Sequence, residues 1–223
     1  SESIYLRNNI LINLEKALLE RDEEKRREYL SIVIVGGGPT GVELAGALAE
    51  MKHFIFPKDY KELNSDEVEI HLVQSGQEIL IGMEDKSRID ALKFLENMGV
   101  NVHLGVAVKD YDGVKASLSN GETIDTHNLI WVAGVSAEEI EGLEDEAGRG
   151  NRLTVDRFNR VGDYEDIYAV GDLAFMITED YEFGHPQVAQ VAIQQSKNLA
   201  DNFKRKLKGK EWKEFKYKNK GIL

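Results

Sequence analysis

The sequence predicts an α/β fold in which helices cover a parallel sheet, and three observations predict it. A short β-branched run, Ser31–Val35, passes into the glycine-rich turn Gly36–Gly41 and then into a helical pattern opening on Pro39. Strand-like runs alternate with helical periodicity as far as Leu104. Beyond that point, Asp112-Gly113 and Asn120-Gly121 mark the tight turns of a β meander.

Taken in order, residues 4–29 read as one helix. Ile4, Leu11, Leu14, Leu18 and Leu19 recur at helical spacing, and a charged run follows from Glu20 to Glu28. Ser31–Val35 is a strand covered on both faces. A helix with Pro in its first turn runs from Pro39 to about Met51. Residues 54–67 read as an irregular insertion before a second strand, Val68–Val73. Asp85 caps a helix to Met98 whose apolar face is Ile89, Leu92, Leu95 and Met98, and Gly99 ends it. Val100–Leu104 is a third strand, Val106–Tyr111 and Val114–Leu118 form a hairpin, and Leu129–Val132 leads into Ala133-Gly134. After a loose acidic stretch, Leu153–Asp156 and Asp166–Val170 read as short strands, 187–208 as a long helix and Phe215–Tyr217 as a last strand.

Composition bounds the function. At 223 residues, 42% hydrophobic and 30% charged, the chain is long enough for one or two cores and reads as soluble and globular. No apolar run approaches the ~18–20 residues that span a bilayer. It opens on a polar helical stretch without an initiator Met, which reads as a start inside a longer chain. With no Cys there is no disulfide framework, thiolate metal site or redox CxxC. His53, His71, His103, His127 and His185 lie on separate elements without ligand spacing, so no metal site is expected.

The net charge of −12 is uneven. Residues 204–223 hold nine Lys or Arg against two Glu, which leaves an acidic body that would repel nucleic acid. The tail interleaves its Lys with Trp212, Phe215 and Tyr217. It reads either as a solvated strand or hairpin or as a contact with anionic lipid.

Gly36, Gly38 and Gly41 stand at G-x-G-x-x-G spacing between a strand and a helix. The first glycine permits the tight turn, the second a close backbone approach to a pyrophosphate, and the third helix–strand packing. With Gly37, Pro39 and Thr40 they form a loop whose backbone N–H groups and helix dipole suit two phosphates. This makes residues 31–135 a Rossmann-like NAD(P)-binding domain.

Gln74 ends the second strand, where an acidic residue would accept both ribose hydroxyls of NADH. A neutral Gln, followed by Ser75, can bond the ribose without repelling a 2′-phosphate, and no Arg is at hand to grip one. NADH use with weakened discrimination against NADPH follows. Glu43 reads as a first-turn carboxylate that favours the dipole. Repelled by the pyrophosphate, it would point towards the nicotinamide end as a proton donor or ribose acceptor.

The segment Ser31–Leu48 resembles the NADH-binding motif of two-dinucleotide-domain flavoprotein reductases, and within them it is most similar to type II (alternative) NADH:quinone dehydrogenases. Ile130-Trp-Val-Ala-Gly134 resembles the turn that joins their NADH domain to the flavin domain, which implicates Ala133 and Gly134. Ile167-Tyr-Ala-Val-Gly-Asp-Leu173 resembles their FAD motif, with Gly171 in the turn and Asp172 holding the ribityl–phosphate side. His185–Gln195 is similar to their AQxAxQ helix start, where Ala189 and Gln190 lie under the flavin and Gln190 and Gln194 line the quinone site.

The resemblance implies an NAD(P)-binding domain inserted in part of an FAD-binding domain. Residues 1–30 would be the linking helix and 136–223 the C-terminal part. It implies hydride transfer from NADH through FAD to a membrane quinone, at the cytoplasmic side of the membrane, with Glu43, Gln190 and Gln194 assisting. The family's N-terminal flavin half and membrane anchor would lie outside these residues. The chain by itself would then be soluble, bind NAD(H), hold FAD poorly and turn over little. Unpaired sheet edges leave a homodimer open. Two rivals stand beside this reading: another FAD/NAD(P)H reductase of ferredoxin or disulfide type, and a non-catalytic NAD-binding module.

Overall fold

A computed structural model describes residues 2–221. The chain divides into two compact units between Gly134 and Val135.

In the first unit, four parallel strands lie in the order β3-β2-β1-β7: β1 (Ser31–Val35), β2 (Glu69–Gln74), β3 (Val100–Leu104) and β7 (Asn128–Trp131). The Rossmann-like α/β fold expected from the sequence is present. Residues of β1 alternate between two cores. Ile32 and Ile34 pack with Leu48, Leu72 and Leu95 beneath the helices. Val33 and Val35 pack with Val73 and Leu118 beneath the meander of β4 (Val108–Tyr111), β5 (Lys115–Leu118) and β6 (Thr123–Asp125). Both faces of β1 are covered, which is why its sequence is an unbroken apolar run after Ser31.

The expected first helix is two. α1 (Glu2–Leu19) ends where the Glu20 carboxylate accepts the Arg21 and Asp22 N–H groups. α2 (Glu23–Leu30) starts on Asp22, whose side chain caps the N–H groups of Glu24 and Lys25. The buried face of α1 is Ile10, Asn13, Leu14 and Ala17, while Ile4 and Leu19 are exposed. α3 (Pro39–Phe54) follows the glycine turn, and α4 (Phe56–Asp59) buries Phe56 inside the stretch read as irregular. α5 (Asp85–Asn97) is capped at Glu84 without a side-chain bond. Asp85 is its first residue and pairs with Arg88, and Ile89 is exposed.

In the second unit, β8 (Leu153–Thr154) and β9 (Ala174–Phe175) form a two-residue parallel pair, and α6 (Ala189–Leu207) is the long helix. Asp166–Val170 is not a regular strand. It folds back on residues 159–161 through a single bridge, Arg160 to Tyr168. Phe215–Tyr217 alternates inward and outward as a strand does, yet it is not the expected last strand and joins no sheet among the described residues: Phe215 N–H donates to Arg157 O and Phe215 O accepts from the Arg157 guanidinium, with no ladder beyond that residue.

Candidate functional site

The glycine turn is fastened on its inner side and open on its outer side. Gly36 N–H donates to Val73 O at 2.8 Å, Gly37 N–H to Gln74 Oε1 at 2.9 Å, and Gly37 O accepts Leu80 N–H at 2.7 Å. Gly36 has φ +119°, and a Cβ there would lie 2.9 Å from the Ala133 backbone. A Cβ on Gly41 would lie 1.8 Å from Gly36 O, so only glycine lets α3 start this close to β1. Gly38 differs: a Cβ there meets nothing within 4 Å. Pro39 has no N–H, and the first turn of α3 leaves the Thr40 and Gly41 N–H groups without intrahelical partners. Bare backbone donors at a helix mouth, beside space that a side chain would fill, fit a pyrophosphate.

The C-terminal ends of β1, β2 and β7 thus bring Gly36–Gly41, Gln74 and Ala133 together at one end of the sheet, with Ser75 and Gly134 next in the chain. Ser75, Ala133 and Gly134 are exposed. Gln74, read from sequence as a ribose ligand, is half-buried and already holds the loop through Oε1. Its Nε2 keeps two N–H donors with no hydrogen bond among the described residues. Glu43 does not lie in the first helical turn. It is the fifth residue of α3, one turn in from the glycine loop, exposed and without an ion-pair partner among the described residues.

In the second unit, the turn Gly171–Leu173 meets α6. Gly171 has φ +68°, and a Cβ would press 3.0 Å from the Cβ of Ala192. Its N–H donates to Oε1 of the fully buried Gln195 at 2.7 Å. Arg152, 7% exposed, donates to the carbonyls of Asp172, Ala174 and His185. Burial pulls its guanidinium down from the usual range, and the Asp172 charge opposes that. The Asp172 side chain is left exposed, with its main-chain oxygen held by Arg152 and Gln187. Sequence reading missed Arg152 and Gln195, since polar residues buried by distant partners carry no local signal.

Ala189 is the first residue of α6 and is exposed. Gln190 and Gln194 lie four residues apart on one face of α6 and are half-buried. Both carboxamides hydrogen-bond the tail: Gln194 with Lys218 N–H and O, and Gln190 with Lys220 N–H and Gly221 O. Glu43 and these glutamines belong to different units.

Comparison with known proteins extends these motifs to the whole chain. It is 32% identical over 234 residues to a type II NADH:quinone oxidoreductase of Mycobacterium tuberculosis, covering 100% of this chain and 49% of that protein. It is 33% identical over 205 residues to an internal alternative NAD(P)H-ubiquinone oxidoreductase of Arabidopsis thaliana, covering 89% of this chain and 39% of the relative. The chain therefore spans about half the length, or less, of these curated relatives. Among solved structures, NDH2 from Plasmodium falciparum in complex with NADH matches with a TM-score of 0.78 at 20% identity, over 90% of this chain and 56% of that one, which shows a shared fold. Residues 8–196 match the family described as pyridine nucleotide-disulphide oxidoreductase, and the chain belongs to that family.

Proposed function

We propose that this chain is the NADH-binding and acceptor-facing part of an FAD-dependent type II NADH:quinone dehydrogenase. The observation that carries the reading is the similarity to relatives of that name along the full length of the chain, so that it spans both the glycine turn and the Gly171-Asp172 turn. When bound, NADH supplies a hydride and FAD relays the electron pair to a quinone.

The chain's own residues divide the remaining tasks. Gly38, Thr40 and Gly41 hold the pyrophosphate through backbone N–H groups and the α3 dipole. Gln74 and Ser75 bond the adenosine ribose, Ala133 and Gly134 flank the nicotinamide end, and Glu43 serves that end as proton donor or ribose acceptor. Gly171, Asp172, Ala189 and Gln190 form the flavin side, with the Asp172 carboxylate accepting from ribityl hydroxyls. Gln190 and Gln194 orient the quinone carbonyl by carboxamide donation. The lysines of the tail suit the anionic cytoplasmic face of a membrane, and the unpaired edges of the sheet suit a homodimer. Among the described residues no helix is long and apolar enough to cross a membrane.

Calorimetric titration of the purified chain with NADH and NADPH tests the donor half of the reading. Gln74 carries no charge to repel a 2′-phosphate, and no cation follows it to grip one, so the two affinities should lie within about tenfold of each other. Binding of neither nucleotide would falsify the reading, and a preference for NADPH above that ratio rejects the role given to Gln74. The 223 residues alone are expected to hold FAD poorly. A purified chain that is yellow and reduces a quinone analogue with NADH overturns that expectation.

A further inference from the structure

Residues 213–221 lie against α6, and what holds them is a row of side-chain amides. Asn202, fully buried, accepts Lys213 N–H through Oδ1 at 2.8 Å and donates Nδ2 to Lys213 O at 2.8 Å. Gln194 treats Lys218 the same way, with both bonds at 3.0 Å. Gln190 accepts Lys220 N–H at 3.2 Å and donates to Gly221 O at 2.6 Å. Asn198 adds a longer donation to Lys213 O and braces Asn202 at 3.2 Å. The Asn202 and Gln194 contacts repeat what one residue of an antiparallel strand does for its hydrogen-bonded partner, exchanging an N–H and a C=O with a single neighbour, whereas Gln190 divides its two bonds between Lys220 and Gly221.

The spacing explains why a helix can do this. Positions 190, 194, 198 and 202 are four apart, so they form one row that advances about 6 Å per step. Two residues of an extended chain advance about 6.8 Å. From Gln190 to Gln194 the contacts move from Lys220 to Lys218, which is that two-residue step. The tail runs antiparallel to α6, with Phe215 turned inward and held at its backbone by Arg157. Among the described residues none of these α6 hydrogen bonds involves a lysine side chain of the tail; Lys216, Lys218 and Lys220 are exposed.

We infer that α6 is an amide rail that binds the tail through its backbone, and that this docking fixes the orientation of the Gln190 and Gln194 carboxamides. Asn198 and Asn202 are positioning residues that act through the tail. Each glutamine spends one N–H and one lone pair on the tail, which leaves its second N–H pointing in a set direction. The consequence for an electron acceptor rests on the reading proposed above; the rail itself does not.

Proline scanning of the intact chain tests the inference, because proline deletes an N–H without removing the helix-side partner. In Lys218→Pro, the side-chain NH₂ resonances of Gln194 should collapse towards those of a free carboxamide, while those of Gln190 persist. Hydrogen-exchange protection at Lys220 should fall by less than that at Lys218 in Gln194→Ala, which loses about tenfold for its two bonds. Lys220→Pro should release Gln190 and spare Gln194. Lys218→Ala should change neither carboxamide. An unaltered Gln194 signal in Lys218→Pro, or an equal release in Lys218→Ala, overturns the rail. Should the proline variants not fold, Gln194→Ala reads the same contact from the helix, and undiminished protection of the Lys218 amide overturns it. A soluble quinone analogue added to the same sample separates the two ideas: shifts at neither glutamine sink the acceptor role, whereas the proline results alone decide the rail.

Discussion

Gly38 and Gly41 stand three residues apart in one turn, yet a methyl group added to each meets opposite surroundings. At Gly41 the new Cβ would lie 1.8 Å from the backbone oxygen of Gly36, a residue whose own N–H is bonded to Val73 O of the sheet. Gly→Ala inside a helix ordinarily stabilises by about 0.5–1 kcal/mol. Overpacking against backbone costs about 1–3 kcal/mol or more, and it wins here. Gly41→Ala should therefore lower the unfolding free energy by about 1–2 kcal/mol, read by urea denaturation. At Gly38 the φ of −76° suits any residue and the Cβ meets open space. Gly38→Ala should leave stability within about 0.5 kcal/mol of the parent. Its NADH affinity should nevertheless fall about tenfold or more, because the methyl occupies the approach of the pyrophosphate. Equal nucleotide affinity in parent and Gly38→Ala would remove the phosphates from this loop.

At the scale of elements, α1 is tied to the sheet by polar groups as well as by Ile10, Leu14 and Ala17. Asn13 Nδ2 donates to Asn128 Oδ1 at 2.7 Å, and Asn128 Nδ2 donates to the carbonyls of Tyr29 and Ser31. Thr126 joins the network by donating to Ser31 O and accepting Asn128 N–H. Asn13, Asn128 and Thr126 are all buried. Asn128→Leu would keep the branching of the side chain and leave the buried Asn13 Nδ2 without its acceptor and Tyr29 O without its donor. It should cost about 2–4 kcal/mol and lower the amide protection of α1 more than that of α3. Uniform loss across both helices would argue against a local tie. The same network marks where sequence reading stops. The β1–glycine turn–α3 unit was legible because a covered strand, three glycines and a first-turn proline are all local signals. The break at Asp22 was missed although Asp22-Glu23-Glu24 is a helix start, because the charged run offers no apolar period to show one helix ending. The alternation around Phe215 reads as a last strand, which the structure does not form, because no local pattern reveals that the tail is held by Arg157 and by Gln and Asn side chains of α6 rather than by another strand. Asn128, Arg152 and Gln195 were invisible for the same reason: their partners lie 20 to 115 residues away.

Over the whole molecule, each unit buries histidine in a way that ties its stability to pH. In the first unit, burial lowers the pKa of His71, and the neighbouring His103 at 3.1 Å lowers it further, against the pull of Glu69. His103 is lowered by burial, with Glu122 opposing. In the second unit, burial lowers His185, followed by the charges of Arg157 and Arg152, with Asp180 opposing. A lowered histidine is neutral in the folded chain while the unfolded chain still binds a proton near pH 6.5. The unfolded state then holds more protons, so stability rises with pH in that window and is lost as pH falls below about 6.5. Thermal midpoints should fall between pH 7.5 and 5.5. His185 permits the sharper test. Its ring is 3% exposed, stands among Tyr181, Phe215 and Tyr217, and neither ring nitrogen has a hydrogen-bond partner among the described residues. His185→Phe keeps an aromatic ring and removes two unpaired polar atoms, so stability at pH 7.5 should hold or improve by about 1 kcal/mol. At pH 5.5 the gain should be larger, because the variant no longer has a proton to exclude at that position. If the acid-induced loss is as steep in His185→Phe as in the parent, the second unit's pH response originates elsewhere.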